Sequence, residues 1–578
     1  MPKPVGHGLN DLYVRFFRMA ERQITHPRDG KDRRGVVCYI SNYSWLDGLS
    51  HTGMRERYLN AFDKVRVDNL NGDRFRTGKV TPEGKPDPSI FSTPFNREGI
   101  QVGTAIALMV RKEGHKPAEA VHYRELWGAG KLEQLAQEAM QGAQPEYTEV
   151  KPELRLGAPF RPTEVSTAYL QWPKIEELFP VSFSGVTTSR DAALVDIDED
   201  RLRQRMSLYF DKEVSDGDVK AEIPVLLEPT RRFQAERIRT YLKERGLRND
   251  LFVPYAYRPF DVRWLYWEPE TKLLDEKREN LFDSVAPENL FIVTQQKPRR
   301  DWSPPQVVRP LGSYDLMDRG ASLFPRYIKH VVAVTPDGPQ TELRPNLSAL
   351  AYAYLQDHST VTHLSCHALA VMHSLAYRTE NDGALRQDWP RIPLPPVLEH
   401  LQASAELGRQ VAALLDQTTT FKASTEVKAI GEIRTVDGKT PTAEDLKVSM
   451  RWGYLANGAV MPGRGRTEPV EAAFDSRLGT EALRVYLSPN LYLDNVPLSV
   501  WEYKLGGYQV VKKWLSYREV DVLGRALEVT EIRELRATLQ RIASLLLLSD
   551  ELDANYRRVS APAVAPAESA GAAAEAEM

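Results

Sequence analysis

Residues 41–48, "SNYSWLDG", place Asn42, Trp45 and Asp47 in one short loop directly after the apolar run Val36–Ile40. Polar side chains at the carboxyl end of a strand lie where open α/β sheets bind their ligands. Asn42 and Asp47 are therefore set either to meet a ligand or to close a turn and cap the helix that follows. Trp45 and Leu46 read as core packing under that helix before a part in a pocket wall. A second chemistry-bearing stretch is "PTRRFQAERIRTYLKERGLR", residues 229–248, with seven Arg or Lys against two Glu. Such an excess marks either an anion-facing surface or a solvated helix face. Cys38 and Cys366 are the only cysteines and neither belongs to a CxxC pair. No structural zinc and a reducing, cytoplasmic setting are expected.

These side chains need elements to carry them. Residues 9–24 put Leu9, Leu12, Tyr13, Phe16, Phe17, Ala20 and Ile24 on one helical face. The run Val36–Ile40 reads as a strand covered on both faces. "TGMRERYLNAF" reads as a short helix with Thr52 as its cap and Met54, Leu59 and Phe62 turned inward. "KVRVDNL" and "VGTAIALMV" read as strands separated by a long polar loop, residues 71–99. Helix, strand, helix, strand, loop, strand is half of a doubly wound sheet. No GxGxxG or shorter glycine turn precedes the first helix, so a nucleotide-cradling turn is missing from the order.

Further along, "LFVPYAYRPFDVRWLYW" (251–267) reads as strand and loop, "NLFIVTQQ" (289–296) as a strand, and 199–210, 399–416 and 530–548 as helices. The C-terminal "SAPAVAPAESAGAAAEAEM" has too little apolar bulk to pack, and disorder is expected there. At 578 residues the chain exceeds one core. The expected segments are 1–115, 116–395, 396–558 and a tail at 559–578. No run of about 18 apolar residues occurs, so no membrane span is expected.

"LYVRFFRMA", "GVVCYISNYSWLDG" with "GMRERYL", and "VRVDNLNGDRF" resemble the distal half of the catalytic domain of N6-adenine DNA methyltransferases. The likeness is to single-polypeptide type ISP restriction-modification enzymes. It continues through "SGVTTSRDAALVDID", "PYAYRPFDVRWLYW", "LFIVTQQ", "SLFPRYI", "YRTENDGALRQDWPRIPLP" and "VWEYKLGGYQVVKKWL", which resemble that family's target-recognition and C-terminal specificity regions.

The resemblance implies an S-adenosylmethionine turn after the first strand. It also implies an Asn/Asp-Pro-Pro-Tyr/Phe tetrapeptide that grips an adenine swung out of the duplex. Neither motif stands in this sequence: "SPPQV" has Gln306 in the aromatic position and "LPPVL" lacks both flanks. The implied catalytic-pocket residues are Asn42, Trp45 and Asp47 in the opening loop, and Phe91, preferred over Phe95, in the loop 71–99. Base-edge and phosphate contacts are implied for Arg258, Arg263, Gln295, Gln296, Lys297, Arg299 and Arg300, whose chemistry suits both. In "GGYQVVKKWL" the glycines permit close backbone approach, Tyr508 and Trp514 pack, and Lys512 and Lys513 read as a solvated pair before phosphate contacts.

The expected fold is α/β plus mixed α+β: a partial methyltransferase-like sheet, a target-recognition domain and a mainly helical C-terminal region. The expected function is sequence-specific binding of double-stranded DNA as part of an adenine-N6 methyltransferase. A non-enzymatic specificity subunit that completes a separate methyltransferase chain, or an inactive gene remnant, are the alternatives.

Overall fold

The computed structural model describes residues 8–26, 33–142, 144–335, 338–356, 361–456 and 458–561. The expected tail disorder falls on 562–578, outside the described residues, while residues 559 and 560 close the helix Ser549–Ser560. Two compact units result. Unit 1 comprises residues 1–171, 295–302 and 380–390, and unit 2 the remainder.

Unit 1 is built on helix α1 (Leu12–Thr25), strand β1 (Gly35–Asn42), helix α2 (Thr52–Ala61) and strand β2 (Lys64–Asn69). Strands β3 (Thr104–Arg111) and β4 (Val121–Glu125), helix α3 (Lys131–Gln141) and strand β5 (Thr148–Val150) complete it. The sheet order is β1-β3-β2-β4-β5, so the sheet extends past residue 115. β3 lies antiparallel between β1 and β2, and β4 runs parallel to β2. The carboxyl ends of β1, β2 and β4 therefore share one edge of the sheet, as the expected α/β arrangement requires.

Alternation along the strands sends Val37, Val65, Val67, Ala107, Met109, Val121 and Tyr123 to a face covered by α1 and α2. Phe17, Trp45, Tyr58, Phe62 and Phe160 fill the layer between. Burying each such side chain is worth about 1.5–3 kcal/mol. Two expectations change here. β1 is covered on one face only among the described residues: Val36 is 58% and Ile40 41% exposed, with Cys38 exposed between them. The unbroken apolar run therefore does not mean two-sided burial. The α1 stripe also divides. Phe17 is buried, with Tyr13, Ala20 and Ile24 packed beside it, whereas Leu12 (66%) and Phe16 (47%) face outward.

Thr52 is not a cap. It is the first residue of α2, preceded by His51, and no side chain caps that end. The helix start is held by Arg55 instead, which donates to the carbonyls of Trp45, Gly48, Gly157 and Ala158. Four carbonyl dipoles around one buried guanidinium supply the hydrogen bonds that burial of a charge demands.

Unit 2 is mixed α+β. The aromatic-rich segment forms an antiparallel pair, Phe252–Arg258 with Asp261–Tyr266, inside one four-stranded sheet. Phe291–Thr294 lies in a second four-stranded sheet. The C-terminal region adds the helices Leu398–Leu415 and Val529–Leu547 and a further four-stranded sheet. Val361–His373 packs on Leu398–Leu415 so closely that a Cβ on Gly408 would fall 1.7 Å from the Cys366 carbonyl oxygen. Among the described residues no helix is long and apolar enough to cross a membrane.

Candidate nucleic-acid interface

A cavity of about 600 Å³ opens in unit 1 at the shared carboxyl edge of β1, β2 and β4. Its floor is the loop after β1. Asn42 turns that loop by accepting a hydrogen bond from Ser44 N–H at 2.8 Å, so the side chain closes a turn. Trp45 is fully buried among Phe17, Tyr58 and Phe160 and is not among the side chains lining the cavity. Its indole N–H donates to Ser41 Oγ at 3.2 Å.

Asp47 does line the cavity, 6% exposed, and organises the charge there. Arg76 donates to both its oxygens at 2.8 and 3.0 Å. Arg161 and Lys297 stand 3.8 and 3.7 Å from Oδ2. Burial by itself would raise the Asp47 carboxyl, but Arg76, Lys297 and Arg161 hold it well below the usual carboxylate range. Lys297 Nζ donates to the Asp47 carbonyl at 2.6 Å and to Gln387 Oε1 at 2.8 Å. Its burial, reinforced by Arg76, Arg55 and Arg161 and opposed by Asp47, pushes its ammonium down to about 7. Arg161 stacks on the Tyr43 ring at 4.4 Å, and its Nε and Nη2 make no hydrogen bond.

The loop 71–99 is pinned by two buried carboxylates. Asp73 accepts from Tyr43 O–H and from the backbone N–H groups of Phe75, Arg76 and Gly103. A Cβ on Gly103 would lie 2.6 Å from the Tyr43 ring, so only glycine fits. Asp87 accepts from Gly72 N–H, Gly128 N–H and Lys131 Nζ. Phe91, 43% exposed, and Phe95, fully exposed, project from this loop, and neither lines the cavity.

Of the remaining expected contacts, Lys297, Arg299 and Arg300 meet at the cavity. Arg299 and Arg300 are exposed, with Arg300 donating to the Phe75 carbonyl at 3.2 Å. Gln295 is buried, and Gln296 donates to Asp388 at 2.9 Å, so these two brace the segment. Sequence reading missed Arg76, Arg161 and Arg386, which also line the cavity. Only Arg76, inside the polar loop that follows β2, carried a local signal.

Arg258 and Arg263 lie in unit 2, beside a groove of about 930 Å³. Arg263 is committed to the buried Asp261 at 2.7 Å, which Arg518 shares at 2.9 Å. Arg258 lies over the Tyr257 ring at 4.1 Å. Lys513 is not simply solvated, since it sits over Tyr517 at 4.6 Å. A Cβ on Gly506 would lie 2.7 Å from the Leu316 carbonyl oxygen, the close approach expected of that pair of glycines. In the basic stretch 229–248, four of the seven cations, Arg232, Arg239, Arg245 and Arg248, each pair with a carboxylate. Arg232, Arg245 and Arg248 are exposed ion pairs, whereas Arg239 is buried.

The sequence pattern of the type ISP C-terminal specificity domain matches residues 177–540, and the chain belongs to that family. Three solved structures share its fold. Two are the ATP-dependent type ISP restriction-modification enzyme LlaBIII bound to DNA (TM-score 0.65, 16% identity) and the DrdV–DNA complex (0.61, 19%). The third is a nuclease-deletion mutant of the type ISP enzyme LlaGI with a DNA substrate mimic (0.62, 17%). Each match covers 96% of this chain, but 35%, 52% and 48% of the respective relatives. Comparison with curated protein sequences returned no match.

Proposed function

We propose that this chain is the DNA-binding, sequence-specificity part of a site-specific adenine-N6 DNA methyltransferase in a restriction-modification system. The observation that carries the reading is membership of the type ISP specificity family across residues 177–540. The excess of cations at the unit 1 cavity supports it, because phosphate contacts supply most of the affinity for duplex DNA. In this reading Arg299 and Arg300 touch backbone phosphate, and Arg258 contributes from unit 2.

Methyl transfer needs S-adenosylmethionine and the adenine-gripping tetrapeptide, and the 578 residues contain neither a cofactor turn nor that tetrapeptide. A segment bearing both, in the same polypeptide or a separate one, would complete the site. The exposed apolar side chains Val36 and Ile40 on β1, at one end of the sheet, support a completing segment over an inactive remnant. In that complete site Asp47 would stand on the wall facing the reacting base, on the loop that Asn42 turns, while Phe91 projects outside the cavity.

The test is fluorescence anisotropy with a labelled duplex. Binding at low salt that weakens steeply between 50 and 200 mM salt is expected. No binding at low salt rules the reading out. A parallel assay with labelled S-adenosylmethionine should show no transfer to DNA by residues 1–578 alone, and transfer to adenine once the completing segment is added.

A further inference from the structure

We propose that the unit 1 cavity over Asp47 is a binding site for a phosphodiester group of DNA, held by Arg76, Arg161 and Lys297. The proposal rests on the DNA-binding reading above and names the ligand chemistry of one site within it.

Charge supports it first. The cavity lining carries seven Lys or Arg side chains against three Asp or Glu, and of the seven Arg124 is already held by Asp68 and Glu138. Around Asp47 alone, three cations share one carboxylate. Of the other two acids, Glu125 is engaged by Asn69, Tyr123 and Trp127, and Asp301 pairs with Arg386 at 3.0 Å. A partly buried cluster with surplus positive charge is stabilised by an anion that neutralises it.

Hydrogen-bonding capacity supports it next. Arg161 keeps Nε and Nη2 without a hydrogen-bond acceptor. Lys297 spends two hydrogens on the Asp47 carbonyl and Gln387, and Asp47 Oδ2 at 3.7 Å is too distant for the third. That third hydrogen exists only in the ammonium form. Protonation of Lys297 thus adds both a charge and a free donor to the cavity. The charged groups facing it are Asp47, Arg76, Arg161 and Arg55, with Arg299, Arg300 and Arg386 also on the lining. Since the free ammonium titrates near 7, an entering phosphodiester draws a proton onto it.

The experiment is calorimetry of the full chain with a short duplex at fixed salt, in two buffers of different ionisation enthalpy. At pH 7 uptake of about half a proton per DNA bound is expected, because about half of Lys297 is neutral before binding. If the phosphodiester raises Lys297 by about one unit, affinity falls about tenfold from pH 6 to pH 9. Lys297→Gln should abolish the uptake and flatten the profile. Arg161→Gln should weaken binding severalfold while the uptake persists.

DNA binding with no proton uptake at pH 7 and pH 8 overturns this proposal and leaves the DNA-binding reading standing. Uptake that persists in a folded Lys297→Gln also overturns it. Should Lys297→Gln fail to fold, the wild-type uptake and Arg161→Gln still decide. If no DNA binds at low salt, the DNA-binding reading falls. Titration with inorganic sulfate, whose charge is fixed at neutral pH, then judges the cavity alone: proton uptake retains it as an anion site, and none removes it.

Discussion

Around Asp47 and Trp45, chemistry and packing divide between neighbouring residues of one loop. Trp45 is enclosed by aromatic rings 5.3 to 6.2 Å away, so Trp45→Ala should cost about 3–5 kcal/mol in urea unfolding. Phe91→Ala and Phe95→Ala should stay within about 0.5 kcal/mol, because both rings are open to water. Any loss of DNA affinity in those two variants would then report contact. Asp47→Asn keeps the shape but leaves Arg76, Arg161 and Lys297 repelling one another. Removing one partner of a buried ion pair typically costs about 3–5 kcal/mol, and a loss in that range is expected. A change below about 1 kcal/mol would show that water screens the cluster.

At the scale of elements, the helix pair Val361–His373 and Leu398–Leu415 carries a titration built into its packing. His367 Nε2 donates to the Pro393 carbonyl at 2.8 Å, which can only accept, while Nδ1 accepts from Ser404 Oγ at 2.7 Å. Burial pushes its imidazolium down to about 4, partly opposed by the Pro393 carbonyl. The unfolded chain therefore takes up this proton first as pH falls. Stability is intact above the unfolded value of about 6.5 and is lost between there and about 4, by about 3 kcal/mol. Thermal unfolding followed from pH 7 to pH 4 should show that decline, and His367→Gln should reduce it. Gly408 belongs to the same contact, and Gly408→Ala should force the helices apart and lower the melting temperature.

For the whole molecule, the two basic segments that look alike in sequence should behave differently. Arg299→Ala with Arg300→Ala should weaken binding to every duplex sequence and lower the salt slope, by up to about two. Arg245→Ala and Arg248→Ala should leave DNA affinity nearly unchanged, since Glu270 and Asp250 already hold those charges. Anisotropy titrations at several salt concentrations distinguish the two. Equal effects from both pairs would mean that the ion pairs along 229–248 open on binding.

Local periodicity was enough to read the order of helix and strand in unit 1 as far as β3, strand rather than helix across 251–267, and the long C-terminal helices, because alternation and helical spacing are properties of neighbouring residues. The antiparallel pairing of Phe252–Arg258 with Asp261–Tyr266 was not read. The same locality made the loop after β1 legible as the place where a site would form. Solvent exposure was not legible: an apolar run such as Val36–Ile40 reads the same whether one face is covered or two. Nor was the fate of charge. Seven cations in residues 229–248 looked available, yet carboxylates brought in by the fold hold Arg232, Arg239 and Arg245, and Asp250, two residues along the chain, holds Arg248. Asp47 acquires its partners from residues 76, 161 and 297, far apart in the chain. Coulomb energy depends on distance through space, and only the tertiary structure brings those three cations within 4 Å of one carboxylate.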